Sequence, residues 1–292
     1  MKKSIKIGDN LIDDNSIPFI IGEIGINHNG SVENVLKLID ICAKANIQAV
    51  KFQKRTVSTV YSEEELNKDR ERPFGKTNGD LKKGLEFGKK EYDIINDYCE
   101  KKNILWTASC WDEDSLDFLL SYRPKFLKIA SASLTDVNLL RKHKETNIPI
   151  ILSTGMSDMR QIEKAVDIIG QKGNILLHCT SSYPCKLEEL NLNLIPVLKN
   201  KFKDMVIGYS GHEIGLSTTI AASALGAKVI ERHITLDRSM WGSDQSASVE
   251  PQGITKLARD LFANHKAMGD GIKKIYDAEV PIIKKLRRKN DF

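Results

Sequence analysis

The chain has 292 residues, 41% of them hydrophobic and 28% charged, with a formal net charge of +5. That length suits one (β/α)₈ barrel and buries a sizeable core without disulfides or a structural metal. No run approaches the ~20 apolar residues of a membrane span, no signal-peptide stretch opens the chain, and no aromatic-plus-basic motif points to nucleic acid.

Taken in order, short apolar and β-branched runs alternate with amphipathic stretches. The expected strands are Phe19–Glu23, Ala49–Phe52, Ile104–Ala108, Phe126–Ile129, Ile148–Ser153, Ile175–Cys179, Met205–Tyr209 and Val229–His233. Between them, apolar residues recur at three- and four-residue spacing over Val32–Ala45, Lys90–Lys101, Ser115–Leu120, Leu134–Glu145, Met159–Ile168, Leu192–Lys199, Leu216–Leu225 and Ile254–Ala267. Strands buried on both faces and alternating with helices imply a parallel sheet, and eight such units imply an α/β fold closed as a TIM barrel. No GxGxxG follows the first strand, against a dinucleotide-binding fold. The expected organisation is a single barrel over residues 1–275 and a basic tail over 276–292. Residues 54–89 form one long charged connection after the second strand, either a substrate lid or an exposed insertion.

Five cysteines at irregular spacing, Cys42, Cys99, Cys110, Cys179 and Cys185, read as reduced core thiols of a cytoplasmic protein. His143 and His265 fall on helices and are expected to be exposed, whereas His178 is expected to be packed inside its strand.

Polar residues crowd the C-terminal ends of the strands, the catalytic face of such barrels. They include Glu23, Lys51 and Gln53, Ser109, Lys128 and Ser131, Ser153, Ser181 and Tyr183, Ser210 and His212, His233, and then Asp244. His212 and His233 end adjacent strands, so their imidazoles could share one metal ion that polarises a carbonyl. Lys51 and Lys128 sit in apolar contexts and need anionic partners, either structural carboxylates or a bound phosphate and carboxylate. The serines could add donors to such an anion. A buried lysine could instead form a Schiff base, as in class I aldolases.

The segments IGEIGINHNG (21–30), VKFQK (50–54), KIASAS (128–133), ILSTGM (151–156), LLHCTSSYP (176–184), IGYSGHEIG (207–215) and ERHITLD with GSDQSASVEP (231–251) resemble the N-acetylneuraminate (sialic acid) synthase family. The resemblance covers nearly the whole chain. Within the family, GKTNGDLKKGLEFG (75–88) and the 231–251 segment look closer to the animal sialic-acid-9-phosphate synthases.

The resemblance implies a carbon–carbon bond-forming transferase. Phosphoenolpyruvate would condense with N-acetylmannosamine, or a related amino-sugar aldehyde, free or 6-phosphorylated, to give a sialic or other nonulosonic acid and phosphate. Lys51, Ser109, Lys128, Ser131, Ser153 and Ser210 match positions that hold phosphoenolpyruvate. His212 and His233 match ligands of an activating Mn²⁺ or Mg²⁺. Glu23 and Asp244 match carboxylates at the reacting centre and the sugar hydroxyls, and Gln53, Tyr183 and Ser181 match sugar-side positions. Ser181 stands where many bacterial members have asparagine. Alternatives are a synthase using another aldose to make a different 3-deoxy-ulosonate, a Schiff-base aldolase using Lys128 or Lys51, and a non-catalytic sugar-phosphate-binding barrel.

Family members commonly continue into a small C-terminal antifreeze-like domain that crosses a dimer and gives an arginine to the N-acyl group. This sequence ends at Phe292 without one. The expectation is a barrel lacking that domain, working as a homodimer, with a separate partner, or with the 54–89 segment in its place.

Overall fold

The computed structural model describes residues 3–70 and 73–289. An antiparallel hairpin, β1 (Ser4–Ile7) and β2 (Asn10–Asp13), leads into eight parallel strands. These are β3 (Phe19–Gly25), β4 (Ala49–Lys54), β5 (Leu105–Cys110), β6 (Leu127–Ile129), β7 (Ile150–Ser153), β8 (Ile175–Cys179), β9 (Val206–Gly211) and β10 (Val229–His233). They close in sequence order, with β10 pairing back onto β3 so that Val229 faces Phe19 and His233 faces Glu23.

The outer helices start where short polar side chains can accept a first-turn N–H. Ser31, Asp112, Asp136 and Asp158 cap the helices Val32–Lys44, Glu113–Leu120, Val137–Glu145 and Met159–Ile169 in this way. Each helix buries one apolar stripe against the strands, and the last, Pro251–Met268, packs against both Val32–Lys44 and its own predecessor Ser217–Ala224.

Alternation along each strand sorts the interior. Side chains two residues apart share a face, so Phe19 and Ile21 lead to Glu23, Ala49 leads to Lys51, Phe126 leads to Lys128, and Ile151 leads to Ser153. The lower residues of these sets form one apolar cluster with Ile175, Leu177, Val206 and Val229. The hairpin closes the bottom of that cluster with Ile5, Ile7 and Ile12. The upper residues are the polar floor of a cavity. A barrel of this size has no room for a pore, so one end is a packed core and the other carries the chemistry.

Four findings differ from or add to the sequence expectations. The hairpin was not expected at all. The 54–89 connection is not a structureless loop, because it holds short helices at Val57–Val60, Glu63–Leu66 and Asn78–Leu85. His143 is buried, with Nδ1 2.8 Å from the Leu139 carbonyl oxygen, and burial pushes its pKa down to about 4. A further short helix, Val280–Leu286, lies beyond the barrel. All five cysteines are free and buried, as expected. No described helix is long and apolar enough to cross a membrane.

Candidate active site

The strand ends surround a cavity of about 190 Å³. It is lined by twelve of the thirteen expected site residues: Glu23, Lys51, Gln53, Ser109, Lys128, Ser131, Ser153, Ser181, Tyr183, Ser210, His212 and His233. The thirteenth, Asp244, stands just behind the rim, its Oδ2 3.6 Å from His233 Nδ1. Eight strands converge there because the period-two phase of each one delivers an inward polar residue at the same height.

Two lysine–serine pairs form the floor. Lys51 Nζ donates to Ser109 Oγ at 2.9 Å, and Lys128 Nζ donates to Ser153 Oγ at 2.7 Å. Glu231, between them, places Oε1 3.8 Å from each ammonium and accepts from Ser210 Oγ at 3.2 Å. Burial alone would raise the Glu231 pKa, but Lys128 and Lys51 together hold it below the usual carboxylate range. Burial also lowers the Lys128 pKa, with Glu231 opposing. Two buried ammonium groups thus converge on one cavity with a single low-pKa carboxylate between them.

Glu23 has a different character. Its Oε2 is 2.6 Å from Lys51 Nζ, and its Oε1 accepts from Gln53 Nε2 at 3.1 Å. Complete burial nonetheless lifts its pKa to about 7, and the charge of Glu231 adds to that rise. A carboxyl poised there can accept or give a proton near neutrality.

The third cluster is aromatic and imidazole. The Tyr183 ring lies 4.1 Å from the His212 ring and 5.6 Å from that of His233, and the two imidazoles are 5.3 Å apart, centre to centre. His212 Nδ1 is 2.7 Å from the Thr180 carbonyl oxygen and 3.9 Å from Cys179 Sγ. Burial works against protonation of His212, but Cys179 and Thr180 outweigh it and raise its pKa. Burial and the neighbouring His212 push His233 well below the usual imidazole range. Its buried Nδ1 has no hydrogen-bond partner.

No group of three or more His, Cys, Asp or Glu side chains among the described residues is arranged as a metal cage. Two converging imidazoles, one neutral with an orphaned nitrogen, nevertheless fit a divalent cation whose remaining positions go to water and substrate oxygens. A cation there would compete with protons for the two imidazoles.

Gly155 shapes the opposite wall. A Cβ there would meet Ser181 Oγ at 2.1 Å and Ser131 Oγ at 2.9 Å, so only glycine lets both hydroxyls reach the cavity. The Gly155 N–H donates to Ser131 Oγ at 3.0 Å.

The NeuB family model matches residues 38–273 of this sequence. This chain belongs to the NeuB family. It is 41% identical to the N-acetylneuraminate-9-phosphate synthase of Drosophila melanogaster over 82% of its own length, spanning 66% of the fly protein. It is 38% identical to the N,N'-diacetyllegionaminic acid synthase of Campylobacter jejuni subsp. jejuni serotype O:2, over 92% of this chain and 83% of that one. Among solved structures, the N-acetylneuraminic acid (sialic acid) synthetase of Leptospira borgpetersenii serovar Hardjo-bovis, in complex with citrate, superposes with a TM-score of 0.86. That structure is 34% identical and covers 99% of both chains.

As a NeuB family barrel, the chain carries site residues beyond those its motifs singled out. Glu231 and Cys179 line the cavity in phase with Val229 and with Ile175 and Leu177, so strand periodicity could have found them. Trp111 also lines it, with the Arg55 guanidinium 4.8 Å from its ring centre. No local pattern in the sequence marks that pair.

Proposed function

We propose that this chain condenses phosphoenolpyruvate with the aldehyde of N-acetylmannosamine or a related amino sugar, free or 6-phosphorylated, releasing inorganic phosphate. The observation that carries the proposal is the pair of buried ammonium groups, Lys51 and Lys128, each backed by a serine hydroxyl in one cavity. A small substrate carrying a carboxylate and a phosphate satisfies both, whereas a neutral sugar satisfies neither. The names of the fly and Campylobacter relatives support the same reaction class.

In this reading Lys51, Lys128, Ser109, Ser131, Ser153 and Ser210 fix phosphoenolpyruvate and spread its negative charge. Its C3 attacks the aldehyde carbon of the open-chain sugar, the C=O pair moves onto the aldehyde oxygen, which takes up one of the two protons of the water added later, and C2 becomes electron-poor. Glu23, held near neutrality, takes a proton from the water that adds to C2. The tetrahedral carbon then expels phosphate by C–O cleavage, so the phosphate oxygen originates in phosphoenolpyruvate. Gln53, Tyr183 and Ser181, with Asp244 just behind the rim, mark the side where the sugar hydroxyls would lie. A divalent cation such as Mn²⁺ or Mg²⁺, held by His212 and His233, would supply Lewis-acid polarisation of the aldehyde.

The test is phosphate release from phosphoenolpyruvate with Mn²⁺, against N-acetylmannosamine, its 6-phosphate, mannose 6-phosphate, arabinose 5-phosphate and a diacetamido-hexose. Release that depends on an amino sugar supports the proposal. Release with arabinose 5-phosphate or mannose 6-phosphate alone would point instead to a synthase for another 3-deoxy-ulosonate.

A further inference from the structure

Behind the two imidazoles, on the outer side of the barrel wall, lies a buried ion pair that takes no part in the proposed reaction. Period two along β10 turns Glu231 and His233 inward and Arg232 outward, toward the helix Ser217–Ala224. Arg232 is among the largest fully buried side chains of the described residues. Its Nη1 lies 3.1 Å from Oε1 of Glu213, which is fully buried as well. These two residues are the chain neighbours of the imidazoles: Glu213 follows His212, and Arg232 precedes His233.

The guanidinium fastens one short segment. Nη1 donates to Glu213 Oε1 at 3.1 Å, to the Gly215 carbonyl oxygen at 2.9 Å and to Thr219 Oγ1 at 2.6 Å. Nη2 donates to the Glu213 carbonyl oxygen at 2.6 Å. The carboxylate is held in turn. Its Oε1 accepts from the Thr218 and Thr219 hydroxyls at 2.9 and 2.8 Å, and its Oε2 accepts from the Tyr209 hydroxyl at 2.8 Å. Gly211 makes room for this. A Cβ there would meet Glu213 Oε2 at 2.5 Å and Tyr209 Cε1 at 2.6 Å, so a larger residue would push the carboxylate off its partners.

The pair stands where strand pairing stops. β9 and β10 stay in register up to Gly211 opposite Arg232, one residue short of both imidazoles. Beyond that point the two chains are anchored in opposite directions. The turn after β9 is tied toward β8, where the Cys185 N–H donates to the His212 carbonyl oxygen at 2.9 Å. The end of β10 is tied toward β3, where His233 faces Glu23. The Arg232–Glu213 pair bridges the two anchors. A buried ion pair seldom stabilises a protein more than apolar residues of the same volume would, since both charges lose water. Its role lies in the geometry it enforces, and that geometry includes the 5.3 Å between the His212 and His233 ring centres.

We propose that Arg232 and Glu213 are positioning residues for the imidazole pair. By locking the turn after β9 to the end of β10, they hold His212 and His233 at a spacing from which both reach one divalent cation. Outer contacts of this kind orient metal ligands and set much of their affinity. The inference rests on the metal component of the condensation reading and adds the contacts that fix its geometry. Neither side chain lines the catalytic cavity, so neither is a catalytic residue.

The experiment compares wild type with Arg232→Lys, with Tyr209→Phe, and with the double substitution of Glu213→Gln and Arg232→Met. Mn²⁺ binding is read by paramagnetic resonance, phosphoenolpyruvate binding by calorimetry on the metal-free protein, and folding by Tm. Removing one charge alone would strand the other in the interior, whereas the double substitution removes both and keeps the volume. The double variant should keep a Tm near that of wild type and bind Mn²⁺ about ten- to a hundredfold more weakly. Its affinity for phosphoenolpyruvate should hold, because the pair makes no hydrogen bond to Lys51, Lys128 or their serines. Arg232→Lys should also lose Mn²⁺ affinity, as an ammonium cannot replace the planar fork. Wild-type Mn²⁺ affinity in the folded double variant would overturn the proposal. So would a parallel loss of Mn²⁺ and phosphoenolpyruvate binding, which marks a general collapse of the strand ends. If the double variant does not fold, Tyr209→Phe decides, since it deletes one hydroxyl from the carboxylate and keeps the ring. Mn²⁺ affinity about tenfold lower, with phosphoenolpyruvate affinity held, then supports the proposal, and unchanged Mn²⁺ affinity overturns it. Absence of Mn²⁺ binding in wild type would remove the metal component of the reading and this proposal with it, whereas variants that bind as wild type does remove this proposal alone.

Discussion

Lys51 Nζ sits 2.6 Å from Glu23 Oε2, yet the carboxyl beside that ammonium keeps a pKa of about 7. Desolvation outweighs the attraction because both groups are sealed from water at the strand ends. Folding raises this pKa, so the fold favours the protonated form. The stability it contributes is complete below the ordinary carboxylate range and is lost as pH rises through about 7. As a proton acceptor, Glu23 is competent on the other side of that value. We expect kcat/KM to rise with an apparent pKa near 7, and Glu23→Gln to lose most activity together with that acid limb. A Gln variant with an intact limb would assign the titration to another group.

Lys128 raises the aldolase question directly. Burial lowers its pKa, the condition a Schiff-base lysine needs. Its ammonium, however, already donates to Ser153 Oγ and to the Ile129 carbonyl oxygen and faces Glu231, an arrangement for holding an anion rather than attacking a ketone. We expect borohydride with pyruvate to leave the protein unlabelled. Lys128→Met should lower kcat/KM for phosphoenolpyruvate by at least about a hundredfold, since charge-assisted contacts to a buried anion are lost. Mass-spectrometric detection of a reduced pyruvyl adduct on Lys128 would favour the aldolase.

Much of this site was legible because strands impose a phase of two. Ile175–Cys179 and Val229–His233 were bounded correctly, and twelve of the thirteen expected residues line one cavity. The same phase applied inside Val229–His233 points Glu231 inward, between the lysines. Residue type alone gives Glu231 no role, because a carboxylate at a strand end carries no signature until the two lysines are seen on either side of it. Cys179, a core thiol by its apolar context, also completes the inward Ile175, Leu177 series and so reaches the cavity. The β1–β2 hairpin escaped because four-residue strands broken by Gly8 and Asp9 carry too little periodicity. The helices within 54–89 escaped because their stability comes from caps and from contact with distant residues such as Trp241, which no local window contains.

In the proposed reaction the imidazole pair would hold the divalent cation. Cys179 and Thr180 raise the His212 pKa against burial, whereas burial and His212 hold His233 well below the usual imidazole range. A cation held by the pair would compete with protons for the imidazole nitrogens, so its affinity should rise with pH. We expect chelator to abolish phosphate release and Mn²⁺ to restore it. We also expect His212→Ala and His233→Ala each to weaken Mn²⁺ binding, read by calorimetry and by manganese paramagnetic resonance. Unchanged Mn²⁺ binding in both variants would place the ion elsewhere.

Arg55 tests whether the 54–89 segment reaches into the chemistry. It is buried, pairs through Nε with Glu86 Oε1 at 3.0 Å, donates through Nη1 to Tyr61 at 2.9 Å and through Nη2 to Gln53 Oε1. The last contact matters most. Because the Gln53 oxygen accepts from Arg55, its NH₂ must face Glu23, which keeps the carboxyl aimed into the cavity. Without the guanidinium, the Gln53 amide can flip and offer Glu23 an oxygen in place of a donor. We expect Arg55→Met to lower kcat by about ten- to a hundredfold, since a misplaced catalytic group costs that much. KM for phosphoenolpyruvate should hold, because Lys51, Lys128 and their serines do not touch Arg55. Arg55→Lys should not rescue kcat, as one ammonium cannot serve three partners held by a planar fork. If kcat, kcat/KM and Tm all fell together in Arg55→Met and recovered together in Arg55→Lys, Arg55 would be a packing residue of the 54–89 segment and nothing more.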